Sequence, residues 1–128
     1  MAFNISPGSH PDFYILSIIG DLTYEDLLIV DDLHLNEKRL IYVLVNKAEM
    51  SNKLPDRFVE MLPQSFVVHP NIAHIACYAP SAILRIAGYM VANITHLQKK
   101  ITIHQAYDEA YKFIERRIHE VQSSTEDA

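Results

Sequence analysis

The chain has 128 residues, 49% hydrophobic and 21% charged, and its 16 acidic and 11 basic side chains leave a net charge of −5. This length fits one domain, and the composition is typical of a globular protein rather than a disordered one. The basic residues form no stripe that could neutralise a phosphate backbone, which argues against nucleic acid as a partner.

The chain carries one cysteine, Cys77, so no disulfide can form within it. Residues 1–11 lack the charged and apolar segments of a signal peptide. No apolar run approaches the roughly 20 residues that span a bilayer. We therefore expect a soluble cytoplasmic protein without a transmembrane segment.

The first third of the chain predicts a strand and a short capped helix. Residues 1–12 contain prolines and a glycine and are expected to form a flexible lead-in. Phe13–Ile19 is a short apolar run typical of a strand. A helix is predicted to begin at Thr23, with Asp26 completing a variant of the capping box, and to end by about Asn36.

The middle of the chain predicts a buried strand, a polar loop and a second helix. Leu40–Val45 is almost entirely apolar, which favours a central strand buried on both faces. A loop is predicted over Asn46–Lys53. The second helix is expected to begin at Pro55 and to end at Pro63.

The third strand is predicted over Ile72–Tyr78, and Pro80 and Ser81 then open the longest helix. Three of its residues, Ala82, Gly88 and Ala92, are small enough to let the helix approach a sheet closely. We assign the apolar stripe of this helix to Ile83, Ala87, Met90, Val91 and Ile94.

The last quarter predicts a fourth strand over Ile101–His104 and a final helix with an apolar stripe from Ala106 to Val121. Residues 122–128 are small and polar and are expected to form a frayed tail. Strands alternating with helices in the order βαβαβαβα predict an α/β fold with a mostly parallel sheet. A single domain is predicted over residues 13–121.

Histidine and cysteine are the side chains that invite a catalytic interpretation. His74 and His104 would be neighbours on one sheet face if their strands pair, either as a functional pair or as buried, hydrogen-bonded histidines. Cys77 lies inside an apolar strand, which favours a buried structural thiol over a nucleophile.

Other signatures of catalysis or cofactor binding are missing from the sequence. The glycines Gly8, Gly20 and Gly88 form no phosphate-binding loop, and no Gly-x-Ser-x-Gly motif occurs. The acidic residues between Asp21 and Asp32 surround a helix start, which is typical of a capped and solvated surface. We expect no enzyme activity, no metal and no cofactor.

The segment that leaves the carboxyl end of the second strand is the candidate binding site, because ligands and partners bind at this edge of open α/β sheets. Ser51 lies near a helix start, where a phosphate would be stabilised; a cap or turn role is the alternative. The apolar residues beside it either face a partner or ligand, or pack against the sheet. The candidate residues are Asn46, Met50, Ser51, Leu54, Phe58 and Met61.

Several local patterns occur in the order of a known family. Gly20–Asp26 resembles the Gly-x-Leu-Thr-x-Glu-Asp pattern that opens the first helix in the SpoIIAA-like (STAS/SEC14-like) branch of the STAS superfamily. Ile72–Tyr78 with its small-residue helix is similar to the next block of that family. Ile101–His104 and Ala106–Ile114 are similar to its closing strand and helix. The similarity covers roughly Phe13–Arg117.

The resemblance implies a STAS-like fold, with a four-to-five-stranded, mostly parallel sheet and helices mainly on one side. It implies no enzyme activity. Some relatives are anti-sigma-factor antagonists that switch partners when a serine in an Asp-Ser-x-Gly-like turn is phosphorylated. Here Glu49–Pro55 contains Ser51 without that Asp and Gly. The SEC14-like relatives imply an apolar ligand.

Three hypotheses follow. The first is a non-enzymatic module that binds a protein partner or pairs with itself as a homodimer, through an exposed apolar patch near the second helix. The second is a carrier of a lipid-like ligand, which needs a cavity of about 300 Å³ or more. The third, an enzyme, needs a cleft that contains His74, His104 or Cys77. We expect the carrier's cavity to be lined by Phe58, Met61, Phe66 and Met90.

Overall fold

The computed structural model describes residues 3–126, in which five segments rich in β-branched and apolar residues pair into one sheet. The strands are β1 (Phe3–Pro7), β2 (Phe13–Gly20), β3 (Ile41–Met50), β4 (Ile72–Tyr78) and β5 (Ile101–His104). The helices are α1 (Tyr24–Leu27), α2 (Phe58–Met61), α3 (Ala82–Thr95) and α4 (Tyr107–Glu126). Two 3-10 turns, Leu62–Gln64 and Phe66–Val68, connect α2 to β4.

The strands lie in the order β1–β2–β3–β4–β5, so strands that follow each other in the chain are neighbours in the sheet. β1 is antiparallel to β2, whereas β2, β3, β4 and β5 are parallel to one another. The apolar run Ile41–Val45 is buried in the central strand, as its composition predicts. The predicted α/β fold with a mostly parallel sheet is confirmed.

Alternation along the strands divides the core into two layers. Val43 and Val45 face the larger layer, which also contains buried residues of α1, α2 and α3. Tyr42 and Leu44 face the smaller layer, which contains the buried residues of α4. Three helices therefore pack on one face of the sheet, and α4 covers the other. Among the described residues, no helix combines the length and apolar character needed to cross a membrane.

The flexible lead-in predicted over residues 1–12 is wrong for its described part. Phe3–Pro7 form the edge strand β1, which pairs with β2 along its whole length. The Gly8 amide donates to the Phe13 carbonyl at 2.8 Å and closes the turn between the two strands. An edge strand is stabilised by backbone bonds to its neighbour, which a local sequence pattern does not reveal. Residues 1–2 lie outside the described residues.

The frayed tail predicted over residues 122–128 is also corrected, because α4 continues to Glu126. Ala110, Ile114 and Ile118 fix the helix to the sheet. Each further helical residue adds a backbone hydrogen bond to an existing helix, so polar residues can extend it. Residues 127–128 lie outside the described residues.

Thr23 caps α1 as predicted. Its hydroxyl accepts from the Asp26 amide at 3.4 Å, and the Asp26 carboxylate accepts from the Thr23 amide at 2.8 Å. The helix ends at Leu27 rather than near Asn36. Leu33 and Leu35 are both fully buried although they are two positions apart, a spacing that does not share a helix face.

The polar loop predicted over Asn46–Lys53 is partly wrong, because β3 runs to Met50 and pairs with the end of β2. Strand pairing uses backbone groups, so the polar side chains of this stretch do not end the strand. The second helix is correspondingly shorter than predicted. It begins at Phe58 rather than at Pro55.

α3 turns Gly88 and Ala92 toward the sheet as predicted, whereas Ala82 is exposed, and the apolar stripe predicted for the helix is largely wrong. Its buried positions are Leu84, Ala87, Gly88 and Ala92. A Cβ at Gly88 would lie 2.6 Å from Cδ1 of Ile103 in β5, so the glycine permits this close approach. Three residues of the predicted stripe are exposed instead: Ile83, Met90 and Ile94.

Candidate functional site

An apolar cavity of about 70 Å³ lies between the sheet and helices α1, α2 and α3. Met50, Leu54 and Phe58 line it, so the structure brings together three of the six predicted binding residues. Met61 packs against the surrounding core. The cavity is smaller than the roughly 300 Å³ expected of a site for a lipid-like ligand.

The other two predicted residues lie away from the cavity. Asn46 is inside β3, where alternation places it on the face covered by α4, and its side-chain oxygen accepts from the Ala48 amide at 3.0 Å. The Ser51 hydroxyl donates to the Asp21 carboxylate and accepts from the Lys53 amide at 3.3 Å. Ser51 thus joins the ends of β2 and β3 instead of facing the cavity.

Three polar groups line the apolar cavity: Asp26, Lys47 and Cys77. The Asp26 carboxylate accepts the capping hydrogen bond from Thr23. Burial raises the pKa of the Cys77 thiol, and the nearby Lys47 ammonium offsets this only in part. Cys77 is therefore a buried protonated thiol, as the sequence favours, and lacks the thiolate character of a nucleophile.

An open cleft of about 310 Å³ lies beside the cavity at the carboxyl edge of the sheet. The two share Leu22 and Leu54 as lining residues. Asp21, Glu25 and Lys53 give the cleft a rim of mixed charge. The arrangement can hold a polar group at the rim beside an apolar interior.

His74 and His104 do lie together, on the sheet face that α4 covers. Nε2 of His74 lies 3.0 Å from the Thr102 hydroxyl, and Nε2 of His104 lies 2.8 Å from the same oxygen. Nδ1 of His104 contacts the Glu109 carboxylate at 2.8 Å. The Phe113 ring covers both imidazoles, at centroid distances of 4.9 and 5.4 Å.

The pKa of His74 is lowered to about 4, mainly by burial and in smaller part by the charge of Arg117 and by the neighbouring His104. The ring is 1% exposed and is neutral at physiological pH. Its Nδ1 has no hydrogen-bond partner within residues 3–121. No substrate can reach an imidazole enclosed in this way, so the pair is a buried polar network rather than an exposed acid–base site. In the described part of the chain, no three His, Cys, Asp or Glu residues converge as a metal site.

Helix α3 exposes an apolar surface that was not predicted from the sequence. Five large apolar side chains of α3 point away from the sheet, with exposed fractions from 38% for Met90 to 67% for Ile86. The sequence of α3 has apolar residues on all sides of the helix, and such a helix is usually buried on all sides. This pattern could have indicated that the outer side of α3 needs a partner to cover it. We call these residues the α3 outer face: Ile83, Ile86, Tyr89, Met90 and Ile94.

Comparison with solved structures finds an uncharacterized protein of the DUF3478 family from Shewanella loihica PV-4, described as having a SpoIIAA-like fold. The two structures align with a TM-score of 0.62 over 88% of this chain and 92% of that chain, at 14% sequence identity. Comparison with protein families and with curated proteins finds no match. At this identity the likeness concerns the fold alone. The predicted resemblance is thereby confirmed at the level of architecture, and the chain has a SpoIIAA-like, STAS-like fold.

Proposed function

We propose that this chain is a non-enzymatic binding module that docks a protein through the α3 outer face. The observation that supports the proposal is the exposure of five large apolar side chains on one helix. Scattered apolar residues are ordinary on protein surfaces, whereas a contiguous patch of several hundred Å² marks an interaction site. Tyr89, midway along the helix, supplies an aromatic side chain of the kind that anchors protein interfaces.

The state of the nucleophile and acid–base candidates also supports a non-enzymatic role. Cys77 is a buried thiol, and the pKa of His74 is too low for a general base near neutrality. His104 is 6% exposed and is engaged with Thr102 and Glu109. These three side chains are buried and do not line the open cleft.

A photo-crosslinking experiment in intact cells tests the proposal. Benzoylphenylalanine replaces Tyr89 in one variant and Ile19 in the control, because Ile19 is 47% exposed but lies on the opposite face of the sheet. We expect a discrete covalent adduct from position 89 only. The adduct should disappear when Ile86→Glu is added. Equal adducts from both positions, or none from position 89, would overturn the proposal.

A carrier of an apolar ligand is a second candidate, favoured by the apolar lining of the cavity. Its volume of about 70 Å³ accommodates a small group and not a lipid chain. Native mass spectrometry of freshly purified protein, compared with the denatured mass, tests this candidate. Extra mass that is lost on denaturation would favour the carrier over the docking module. The bare mass of 14.7 kDa, or a multiple of it, would contradict the carrier.

A further inference from the structure

The α3 outer face extends along the whole helix, with one isoleucine near each end and three large residues in the middle. α3 spans Ala82–Thr95, so its midpoint falls between Gly88 and Tyr89. Ile83 and Ile94 lie equally far from this midpoint, one toward each end. Ile86 and Met90 lie on either side of it, and Tyr89 is beside it.

We propose that two copies of this chain pair through α3 in an antiparallel, two-fold arrangement. The proposal rests on the proposed function, because it uses the same face and names its partner. A two-fold interface requires that residue i of one copy contacts residue j of the other, and the reverse. With the axis at the midpoint of α3, Ile83 faces Ile94 of the second copy, and Ile86, Tyr89 and Met90 of the two copies meet around the axis.

Charge favours this face for self-association. The chain carries 16 acidic and 11 basic residues, so most approaches of two copies bring carboxylates toward each other. The outer face contains no charged side chain, and Asn93 between its members is neutral too. The charged residue of α3 is Arg85, whose guanidinium donates to the Ala79 and Pro80 carbonyls at 2.9 and 2.8 Å, at the start of the helix.

The size of the face is that of a weak, reversible interface. A helix of 14 residues is about 21 Å long, long enough for the two apolar ends to meet in an antiparallel pair. Stable dimers bury about 800 Å² or more on each partner, and five half-exposed side chains provide several hundred Å². We therefore expect a reversible dimer with a dissociation constant on the order of 1–100 μM.

Analytical ultracentrifugation of the full chain between about 1 and 200 μM measures this equilibrium. We expect the mass to rise from 14.7 kDa toward twice that value as the concentration increases. Ile86→Glu should weaken association at least about 100-fold, because it places two carboxylates near the axis. Ile19→Glu, with matched charge on the opposite face, should associate like the unchanged chain. Circular dichroism checks that both variants are folded.

Disulfide trapping tests the antiparallel geometry separately. When Ile83→Cys and Ile94→Cys variants are mixed under mild oxidation, we expect a crosslinked dimer on a non-reducing gel. Either variant alone should crosslink at least about tenfold less, because equivalent positions lie about 16 Å apart in the antiparallel pair and a disulfide needs Cα atoms within about 7 Å. The native Cys77 is kept in both variants, because it is buried and does not compete for the crosslink. Efficient crosslinking of either variant alone would overturn the arrangement.

The outcomes distinguish self-pairing from the broader docking role. A monomer at all concentrations, with an adduct from position 89 that differs in mass from two copies, overturns self-pairing and keeps the docking function. A dimer that persists in Ile86→Glu overturns the α3 pairing, and the absence of an adduct at position 89 then overturns the docking function as well. A dimer lost in Ile86→Glu and kept in Ile19→Glu supports both proposals.

Discussion

His74 and His104 bind the same atom, the Thr102 hydroxyl oxygen, at 3.0 and 2.8 Å. The Thr102 hydroxyl has one proton, so it can donate to only one of the two imidazoles. Nδ1 of His104 is engaged with the Glu109 carboxylate at 2.8 Å. Nδ1 of His74 is buried and has no hydrogen-bond partner among the described residues.

Acidification should destabilise the protein through His74. Its folded pKa, about 4, is below the unfolded value of 6.5, so the unfolded state takes up the proton first. The free energy of unfolding therefore has its full value above pH 6.5 and decreases by up to about 3 kcal/mol as the pH falls toward 4. Urea unfolding at several pH values measures the slope. His74→Gln should flatten it, and an unchanged slope in that variant would contradict this assignment.

The Cys77 thiol should resist modification in the folded protein, because it is buried and its pKa is raised. Reaction with Ellman's reagent at pH 8 should be slow in buffer and rapid in guanidinium. The added thiol of Ile19→Cys, at an exposed position, provides the matched control and should react at once. Similar rates for the two thiols in the folded state would mean that Cys77 is accessible.

Val43→Asp should abolish folding. Val43 is fully buried in the central strand, and an unpaired carboxylate there would offset most of a total stability of about 5–15 kcal/mol. Leu40→Asp, just before the same strand and 51% exposed, should change stability by less than about 1 kcal/mol. Thermal unfolding followed by circular dichroism compares the two. A normal melting curve for Val43→Asp would contradict the central position of β3.

Ser51→Ala should keep the fold and lower the free energy of unfolding by about 1 kcal/mol, because it removes the bond to Asp21 and the acceptor for the Lys53 amide. Ser51→Thr, which keeps the hydroxyl, should lie closer to the unchanged chain. Guanidinium unfolding of the three proteins measures the difference. Equal stability of Ser51→Ala and the unchanged chain would show that the hydroxyl contributes nothing to the junction of β2 and β3.

Local sequence patterns predict the elements whose causes are local. The apolar run Ile41–Val45 forms the central strand because a strand buried on both faces needs apolar side chains at every position. The capping box between Thr23 and Asp26 forms because both partners lie within one helical turn. The proximity of His74 and His104 was predictable on the condition that β4 and β5 pair, and they do.

The candidate site was predicted only in part, because its location depends on long-range pairing. Met50, Leu54 and Phe58 line the cavity, as their position after a buried strand indicates. Asn46 does not, because it lies inside β3, where alternation places its side chain on the face covered by α4. The length of a strand is set by its neighbour's backbone, which the residues of the strand itself do not encode.

By itself, the sequence of α3 determines that this segment is an apolar helix, and it leaves open which side faces the sheet. The large residues on one side of the helix form an apolar stripe, and so do the small residues on the other side. Either stripe could face the sheet. The tertiary structure decides the choice, because Gly88 permits close approach to Ile103 and thereby brings the small side inward. That packing leaves the large residues, Ile86 and Tyr89 among them, on the surface, where a partner can cover them.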